Sequence, residues 1–170
     1  QRQMCIRDSN NTWFGLSKRT RAIAVSKERM KVGDVLRYED LADKKLKGKI
    51  CSRPGSHVYN RALMSSMISA LGETEAEKWA RGLVSNLAKR PQGNDRSQLK
   101  SIYAGECDVA VINHYYYGKL TYSKNPDHRE WAKASFIVFP NQGPDDRGAH
   151  INISGGGVVK FSKNKELAIN

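Results

Sequence analysis

Short apolar runs alternate along the chain with longer segments of helical periodicity, and glycine or proline separates several of them. Runs with the length of strands lie at residues 21–25, 49–51, 108–113, 136–139 and 150–154. A helical turn at 38–41 precedes helices predicted at residues 59–71, 74–87, 97–104 and 115–123. Because strands and helices alternate, the pattern predicts an α/β fold with a mostly parallel sheet.

Local signals suggest where the two longest predicted helices begin and end. Ser56 is expected to cap the first helix, and Gly72 is expected to end it. Thr74 and Glu77 fit a capping box at the start of the second helix. The glycines at residues 155–157 lack the spacing of a phosphate-binding loop, so we interpret them as a flexible joint.

Both ends of the chain depart from this alternation. Residues 1–9 have no periodicity and resemble a translated sequencing adapter, so we expect this segment to be non-native and exclude it from the fold. Residues 165–170 predict a helix that is only beginning. We therefore expect a chain that is truncated at both ends and lacks its signal segment.

Composition indicates a globular protein with a basic surface. The 170 residues, 39% of them hydrophobic and 27% charged, are enough for one domain with its own core, and no apolar run is long enough to span a bilayer. Lysine and arginine outnumber aspartate and glutamate by 29 to 17, which gives a net charge of +12. These charges are scattered, so we interpret them as a solvated basic surface.

The three cysteines do not form a zinc-binding pattern. Cys5 lies in the adapter-like segment, and no CxxC spacing occurs anywhere in the chain. Cys51 and Cys107 could be paired or could be free buried thiols. An exported protein would permit a disulfide between them.

Tyrosines follow two of the predicted strands. Tyr115, Tyr116 and Tyr117 come directly after the buried strand at 108–113, and Tyr59 follows the strand that begins at residue 49. Because ligands of such sheets bind at the carboxyl ends of strands, both tyrosine segments should meet at one edge of the sheet. Buried phenols need a partner for their hydroxyls. The tyrosines therefore indicate either aromatic packing at a helix start or a metal site.

A metal held by tyrosines would have to be a hard and strongly Lewis-acidic cation. A free phenol has a pKa of about 10, so only such a cation would keep it deprotonated at neutral pH, and binding would release protons. Fe³⁺ meets this requirement better than Ca²⁺ or Zn²⁺, and tyrosine ligates ferric iron in some haem proteins.

Several ordered motifs resemble the ferric-iron-binding periplasmic proteins of iron ABC transporters, closest to their FutA-type branch. These motifs are WFGLSKRTR at 13–21, KGKICSR at 47–53, DVAVINHYYYG at 108–118 and RGAHINISG at 147–155. The resemblance extends over residues 10–170. It implies a type II periplasmic-binding-protein fold, in which two α/β lobes are joined by crossing strands, with this chain forming mainly the C-terminal lobe and the hinge strands.

The resemblance also implies a division of the chain. Residues 10–29 would hold the end of the N-terminal lobe and the first hinge strand. Residues 30–137 would form the C-terminal lobe, and residues 138–170 would form the second hinge strand and return into the N-terminal lobe. We place the crossings at residues 16–25 and 136–141.

The FutA-type resemblance implies metal ligands at Tyr59, Tyr115 and Tyr116, with further ligands from the N-terminal lobe. Tyr117 follows the matching pair, and we expect it to pack. Arg19 matches an arginine that supports the site by compensating the charge of phenolates or of a carbonate-like anion. A plain surface charge is the alternative for Arg19.

Polar residues next to the tyrosines are not expected to bind the metal. His57 and His114 offer imidazole, which is a softer ligand than phenolate, and the family's matching positions are not ligands. Asn113 is expected to serve as a turn or cap residue, and Asn60 is expected to form hydrogen bonds within its loop.

The resemblance implies a periplasmic or lipid-anchored receptor that closes around Fe³⁺ by a hinge motion and delivers it to an ABC transporter permease. Fe²⁺ is a second candidate for the bound ion. We expect a monomer that catalyses no reaction, has no nucleic-acid partner and does not insert stably into a membrane.

Three other functions stay open. The same fold could bind another solute, such as an anion or a polyamine, although aspartates and tryptophans would then be expected at the strand ends. A basic nucleic-acid-binding module would lose affinity steeply with salt and would stack bases on the tyrosines. An enzyme is the third possibility, but the sequence has no Ser-His-Asp order, P-loop or paired-carboxylate signal.

Overall fold

The computed structural model describes residues 13–169. Cys5 and the adapter-like segment at residues 1–9 lie outside the described residues. The strands are β1 (Trp13–Ser26), β2 (Ile50–Cys51), β3 (Val109–Asn113), β4 (Ser135–Val138) and β5 (Ile151–Gly157). The helices are α1 (Val58–Leu71), α2 (Glu73–Ser85), α3 (Asp95–Tyr103), α4 (His114–Thr121), α5 (Pro126–Lys133) and α6 (Lys165–Ile169). Short 3-10 helices occupy Glu39–Ala42 and Lys44–Leu46.

The strands form one mixed sheet in the order β2-β3-β1-β4, and β5 also pairs with β1. β2 and β3 are parallel, whereas β1 runs antiparallel to both β3 and β4. Ile23 lies opposite Val111 on one side and Val138 on the other. The prediction of a mostly parallel sheet is therefore wrong for the central strand β1, which is antiparallel to both β3 and β4. Apolar periodicity identifies strands but does not fix their direction.

The sheet carries a hydrophobic cluster on each face. One cluster contains alternate residues of β1 and β3 together with Leu63, Met67 and Trp79 from α1 and α2. The other contains the intervening strand residues, together with Leu99 of α3 and Leu120 of α4. All five residues of β3 are buried because helices cover both faces of the sheet.

The helix boundaries follow different caps from those expected. His57, not Ser56, caps α1, because its Nδ1 accepts a hydrogen bond from the Tyr59 N–H at 3.2 Å. Gly72, with a positive φ of 78°, ends α1 as predicted. It also occupies the N-cap position of α2, so the predicted capping box of Thr74 does not form. The glycines at 155–157 belong to β5 rather than to a flexible joint.

The chain divides into two compact units. One consists of residues 20–150, and the other combines residues 151–169 with the described residues up to 19. The larger unit extends beyond the predicted lobe of residues 30–137 at both ends. At its C-terminal end, the fully buried Asn141 accepts a hydrogen bond from the Tyr38 N–H at 3.1 Å and donates one to Glu39 at 2.9 Å. These bonds attach the segment after β4 to the larger unit.

A disulfide joins Cys51 at the end of β2 to Cys107 just before β3, which decides between the two states left open by the sequence. Both cysteines are buried within the sheet's second hydrophobic cluster. Among the residues that the structure describes, no helix has both the length and the apolar character needed to cross a membrane.

Candidate metal centre

Three tyrosines meet at the carboxyl ends of β2 and β3. Tyr59 lies in the first turn of α1, and Tyr115 and Tyr116 lie in the first turn of α4. The hydroxyl oxygens of Tyr59 and Tyr115 are 3.3 Å apart. The rings of Tyr115 and Tyr116 pack with their centroids 4.4 Å apart. The structure therefore brings together the three tyrosines that the sequence predicted as ligands.

The local sequence explains why these side chains reach the edge of the sheet. α4 begins at His114, immediately after the last residue of β3, so no loop separates the tyrosine pair from the strand end. α1 begins one residue after its cap, His57, which places Tyr59 in its first turn. All three tyrosines are partly exposed.

A buried cluster of two arginines and one aspartate lies beneath Tyr59. Asp95 forms one ion pair with Arg21 at 3.0 Å and another with Arg53 at 2.9 Å. The exposed fractions of these side chains are 0% for Asp95, 1% for Arg21 and 9% for Arg53. Because arginine stays protonated, the cluster carries one net positive charge. Burial lowers the pKa of Arg21, and the Asp95 carboxylate counteracts that effect.

The positive cluster is in contact with the tyrosine site. The Arg53 guanidinium carbon lies 4.9 Å from the centroid of the Tyr59 ring, and that of Arg21 lies 5.8 Å from it. Arg21 also donates to the side-chain oxygen of Asn60 at 2.8 Å. A negative charge on Tyr59 would be favoured here, since cations attract both a ring face and a phenolate.

The two asparagines of the site have different roles. Asn60 forms hydrogen bonds within its loop, as predicted, because its amide donates to the Ser52 hydroxyl at 3.1 Å and to the Arg53 carbonyl at 3.0 Å. Asn113 occupies the N-cap position of α4, as predicted, but its side chain forms no capping hydrogen bond. Its oxygen accepts from Arg21 at 3.1 Å, and its backbone N–H donates to Asp95 at 2.8 Å.

Each histidine beside the tyrosines uses its Nδ1 to accept a backbone hydrogen bond. His57 accepts from the Tyr59 N–H, and His114 accepts from the Thr20 N–H at 3.1 Å. Burial and the charges of Arg53 and Arg21 lower the pKa of His57. No group of three or more His, Cys, Asp or Glu side chains suited to a metal occurs within residues 13–169.

Tyr117 and Arg19 lie in different surroundings from the three clustered tyrosines. Tyr117 packs against the second hydrophobic cluster and donates to the Ser135 carbonyl at 3.2 Å, and burial raises its pKa. Arg19 belongs to the smaller unit, where its guanidinium donates to the Ser154 hydroxyl. The supporting role of Arg19 at an iron site stays a prediction.

No sequence pattern predicted the buried cluster, although its members lie next to recognisable local motifs. Arg21 and Arg53 both end motifs that carry the family resemblance, and Arg21 opens the apolar run of β1. Asp95 follows Asn94, which forms a capping box with Ser97 at the start of α3. Their ion pairs join residues 42 and 74 positions apart in sequence, a distance over which local patterns give no guidance.

Comparison with known proteins identifies the family. Residues 3–163 match the bacterial extracellular solute-binding proteins. Iron uptake protein A2 of Synechocystis sp. is 42% identical over 164 residues, which make up 96% of this chain and 47% of that protein. The chain therefore spans about half the length of the curated relatives it matches.

Solved structures of similar proteins have the same fold. FutA (IdiA) of Trichodesmium, in complex with iron and citrate ligands, is 45% identical and superimposes with a TM-score of 0.90, covering 96% of this chain and 51% of that one. The ferric binding protein from Campylobacter jejuni is 44% identical with a TM-score of 0.85, covering 95% of this chain and 51% of that one. The predicted fold class and resemblance are confirmed, and the chain belongs to the bacterial extracellular solute-binding protein family.

Proposed function

We propose that this chain is part of an extracytoplasmic receptor that binds Fe³⁺ through tyrosine phenolates and delivers it to an ABC transporter permease. The observation that carries the proposal is the 3.3 Å separation of the Tyr59 and Tyr115 hydroxyl oxygens, with Tyr116 packed beside them. An octahedral cation with bonds of about 2.0–2.1 Å spaces neighbouring oxygens about 3 Å apart, so one small cation fits this pair. Relatives named for iron uptake support the same ligand.

Binding would replace the phenol protons by the metal. Each phenol that becomes a ligand releases a proton, so iron affinity should rise with pH. The net positive charge of the cluster that Arg21 and Arg53 form around Asp95 would offset the negative charge that accumulates on the phenolates. Fe²⁺ is a weaker candidate, because a divalent ion is a poorer Lewis acid for phenolates.

The proposal includes a second lobe that supplies the remaining ligands. Residues 30–137 would form most of the C-terminal lobe, and the segments at 10–29 and 138–170 would contain the hinge strands. Iron would hold the lobes closed, and the permease would recognise the closed form. Arg19 would support the site near the hinge. A monomeric periplasmic or lipid-anchored receptor fits this role, and binding alone, without catalysis, is sufficient for it.

Visible absorption during titration with ferric citrate at neutral pH tests the proposal. We expect an orange-to-red band from phenolate-to-iron charge transfer, which Tyr59→Phe, Tyr115→Phe or Tyr116→Phe weakens. Tyr122→Phe is the matched control, because this tyrosine is 88% exposed. Circular dichroism of every variant would establish that the loss of colour is not a loss of fold.

The titration would be repeated with the chain joined to the half of the Synechocystis relative that it does not match. A band that appears only in the joined protein, and that still depends on the three tyrosines, supports the proposal and assigns indispensable ligands to the second lobe. A folded joined protein that stays colourless would refute the ferric-receptor function.

A further inference from the structure

We propose that Arg53, held by Asp95, is a positioning residue that sets the electrostatic potential at the Tyr59 iron ligand. The inference rests on the proposed function, because it concerns Tyr59 as a phenolate. It assigns a role in metal binding to a buried ion-pair cluster that contains no metal ligand itself.

The cluster is built so that one positive charge stays in place. Asp95 is completely buried and shares its single negative charge between Arg21 and Arg53. Only 9% of the Arg53 side chain is exposed, and its Nε has no hydrogen-bond partner. A guanidinium confined in this way cannot move into solvent when a charge forms on its neighbour.

The same ion pairs connect the segments that carry the tyrosines. Arg53 precedes α1, which contains Tyr59, and its carbonyl accepts from Asn60 at 3.0 Å. Asp95 also accepts the backbone N–H of Asn113, the residue before α4, at 2.8 Å. Asp95 thereby links the loop before Tyr59 to the strand end that precedes the tyrosine pair.

Two other cations near the tyrosines are exposed to solvent, unlike Arg53. Arg96 lies 5.6 Å from the Tyr116 ring, and Lys119 lies 5.4 Å from the Tyr115 ring, but both residues are exposed. Salt screens exposed charges much more than buried ones. The influence of Arg53 on its tyrosine should therefore persist in high salt, whereas that of Lys119 should fade.

The potential at a phenolate can be read from its charge-transfer band. The transition moves an electron from the phenolate to Fe³⁺, and a cation against the ring holds that electron more firmly. Loss of the cation should therefore lower the transition energy and move the band to longer wavelength. Arg53 lies against the ring, so it acts more on the ligand than on a metal beyond the hydroxyl.

The experiment compares the ferric-citrate band of the wild type with those of Arg53→Gln, Arg53→Lys and Asp95→Asn in low and high salt. Screened at an effective dielectric constant near 20, one charge at this distance shifts the band on the order of 10 nm. We expect a shift to longer wavelength for Arg53→Gln, little shift for Arg53→Lys and a shift to shorter wavelength for Asp95→Asn. Lys119→Gln serves as the exposed control, whose shift salt should abolish.

The proposed function and this inference fail in different ways. A folded wild type that develops no band, alone or joined to the second lobe, overturns both. A coloured wild type whose band Arg53→Gln leaves in place, or shifts no more than Arg53→Lys does, overturns only the role of Arg53. Shifts in the same direction for Arg53→Gln and Asp95→Asn would also overturn it, since a merely structural disturbance has no reason to follow the sign of the charge. The Gln and Lys variants decide the matter if Asp95→Asn does not fold.

Discussion

Asp95→Asn should be among the most destabilising conservative substitutions in the larger unit. The change removes the only negative charge from a cluster in which Asp95 is 0% exposed and forms two ion pairs of 2.9 and 3.0 Å. Asparagine can still accept a hydrogen bond, but it leaves Arg21 and Arg53 as two buried, mutually repelling cations. Removing one partner of a buried ion pair typically costs about 3–5 kcal/mol.

We expect the lower end of this range, about 3 kcal/mol, because the asparagine oxygen keeps part of the hydrogen bonding. Urea denaturation followed by circular dichroism would measure the change in the free energy of unfolding. The matched control is Glu75→Gln, which removes the same charge from a pair with Lys78 whose side chains are 59% and 67% exposed. Such an exposed pair contributes at most about 1 kcal/mol.

The comparison has a definite refuting result. If Asp95→Asn and Glu75→Gln lower the free energy of unfolding by similar amounts, below about 1 kcal/mol, the buried cluster does not hold these segments together. A slope of the unfolding curve that changes in Asp95→Asn alone would instead indicate that the variant no longer unfolds in two states.

Three further predictions concern other parts of the chain. Replacing Cys107 by serine should lower the free energy of unfolding by about 4 kcal/mol, since the disulfide with Cys51 closes a loop of 56 residues. If the disulfide is the cause, the variant and the reduced wild type should have the same urea midpoint. Tyr38→Phe should lower the free energy of unfolding, measured by heat or urea, by about 1–3 kcal/mol, because the buried hydroxyl accepts from the His150 N–H and donates to the Arg21 carbonyl. A loss below about 0.5 kcal/mol, the size of a surface substitution, would contradict this. Burial and the charge of Arg21 lower the pKa of His150 in the folded state, so the unfolded chain binds more protons below its ordinary pKa of about 6.5. Stability should therefore fall as the pH drops from about 7 through 6.5, and His150→Gln should reduce that slope.

The sequence predicted the meeting of the tyrosines because the relevant information is local. An apolar run followed at once by tyrosines defines a strand end, and β3 leads into α4 without a connecting loop. The same applies to Tyr59, which follows the breaker after β2. Two strands that belong to one sheet and run in the same direction then bring these segments together.

The features that the sequence did not predict depend on distant contacts or on weak local signals. The direction of β1 is set by its pairing with β3 and β4, which lie far away in sequence. Arg21 of β1, for example, pairs with Asn113 of β3, 92 positions later. The cluster around Asp95 depends on the same long-range arrangement. α5 was missed because its eight residues, PDHREWAK, bury only Ala132 completely. Its start is nevertheless marked by the Asn125 cap and by Pro126 at the first helical position.

The central position of β1 has a consequence for the order in which the chain can fold. β1 comes first among the described strands, yet its neighbours β3 and β4 are near the other end of the larger unit. The run at residues 22–25, which is fully buried in the finished sheet, has no strand partner until β3 at residues 109–113 has been made, and its second partner, β4, follows only at residues 135–138. Pairings of such large sequence separation close slowly, because the entropy of a long loop is lost before any contact forms. During synthesis this segment is therefore an exposed apolar strand, and a chaperone that binds extended apolar peptides would find a target there.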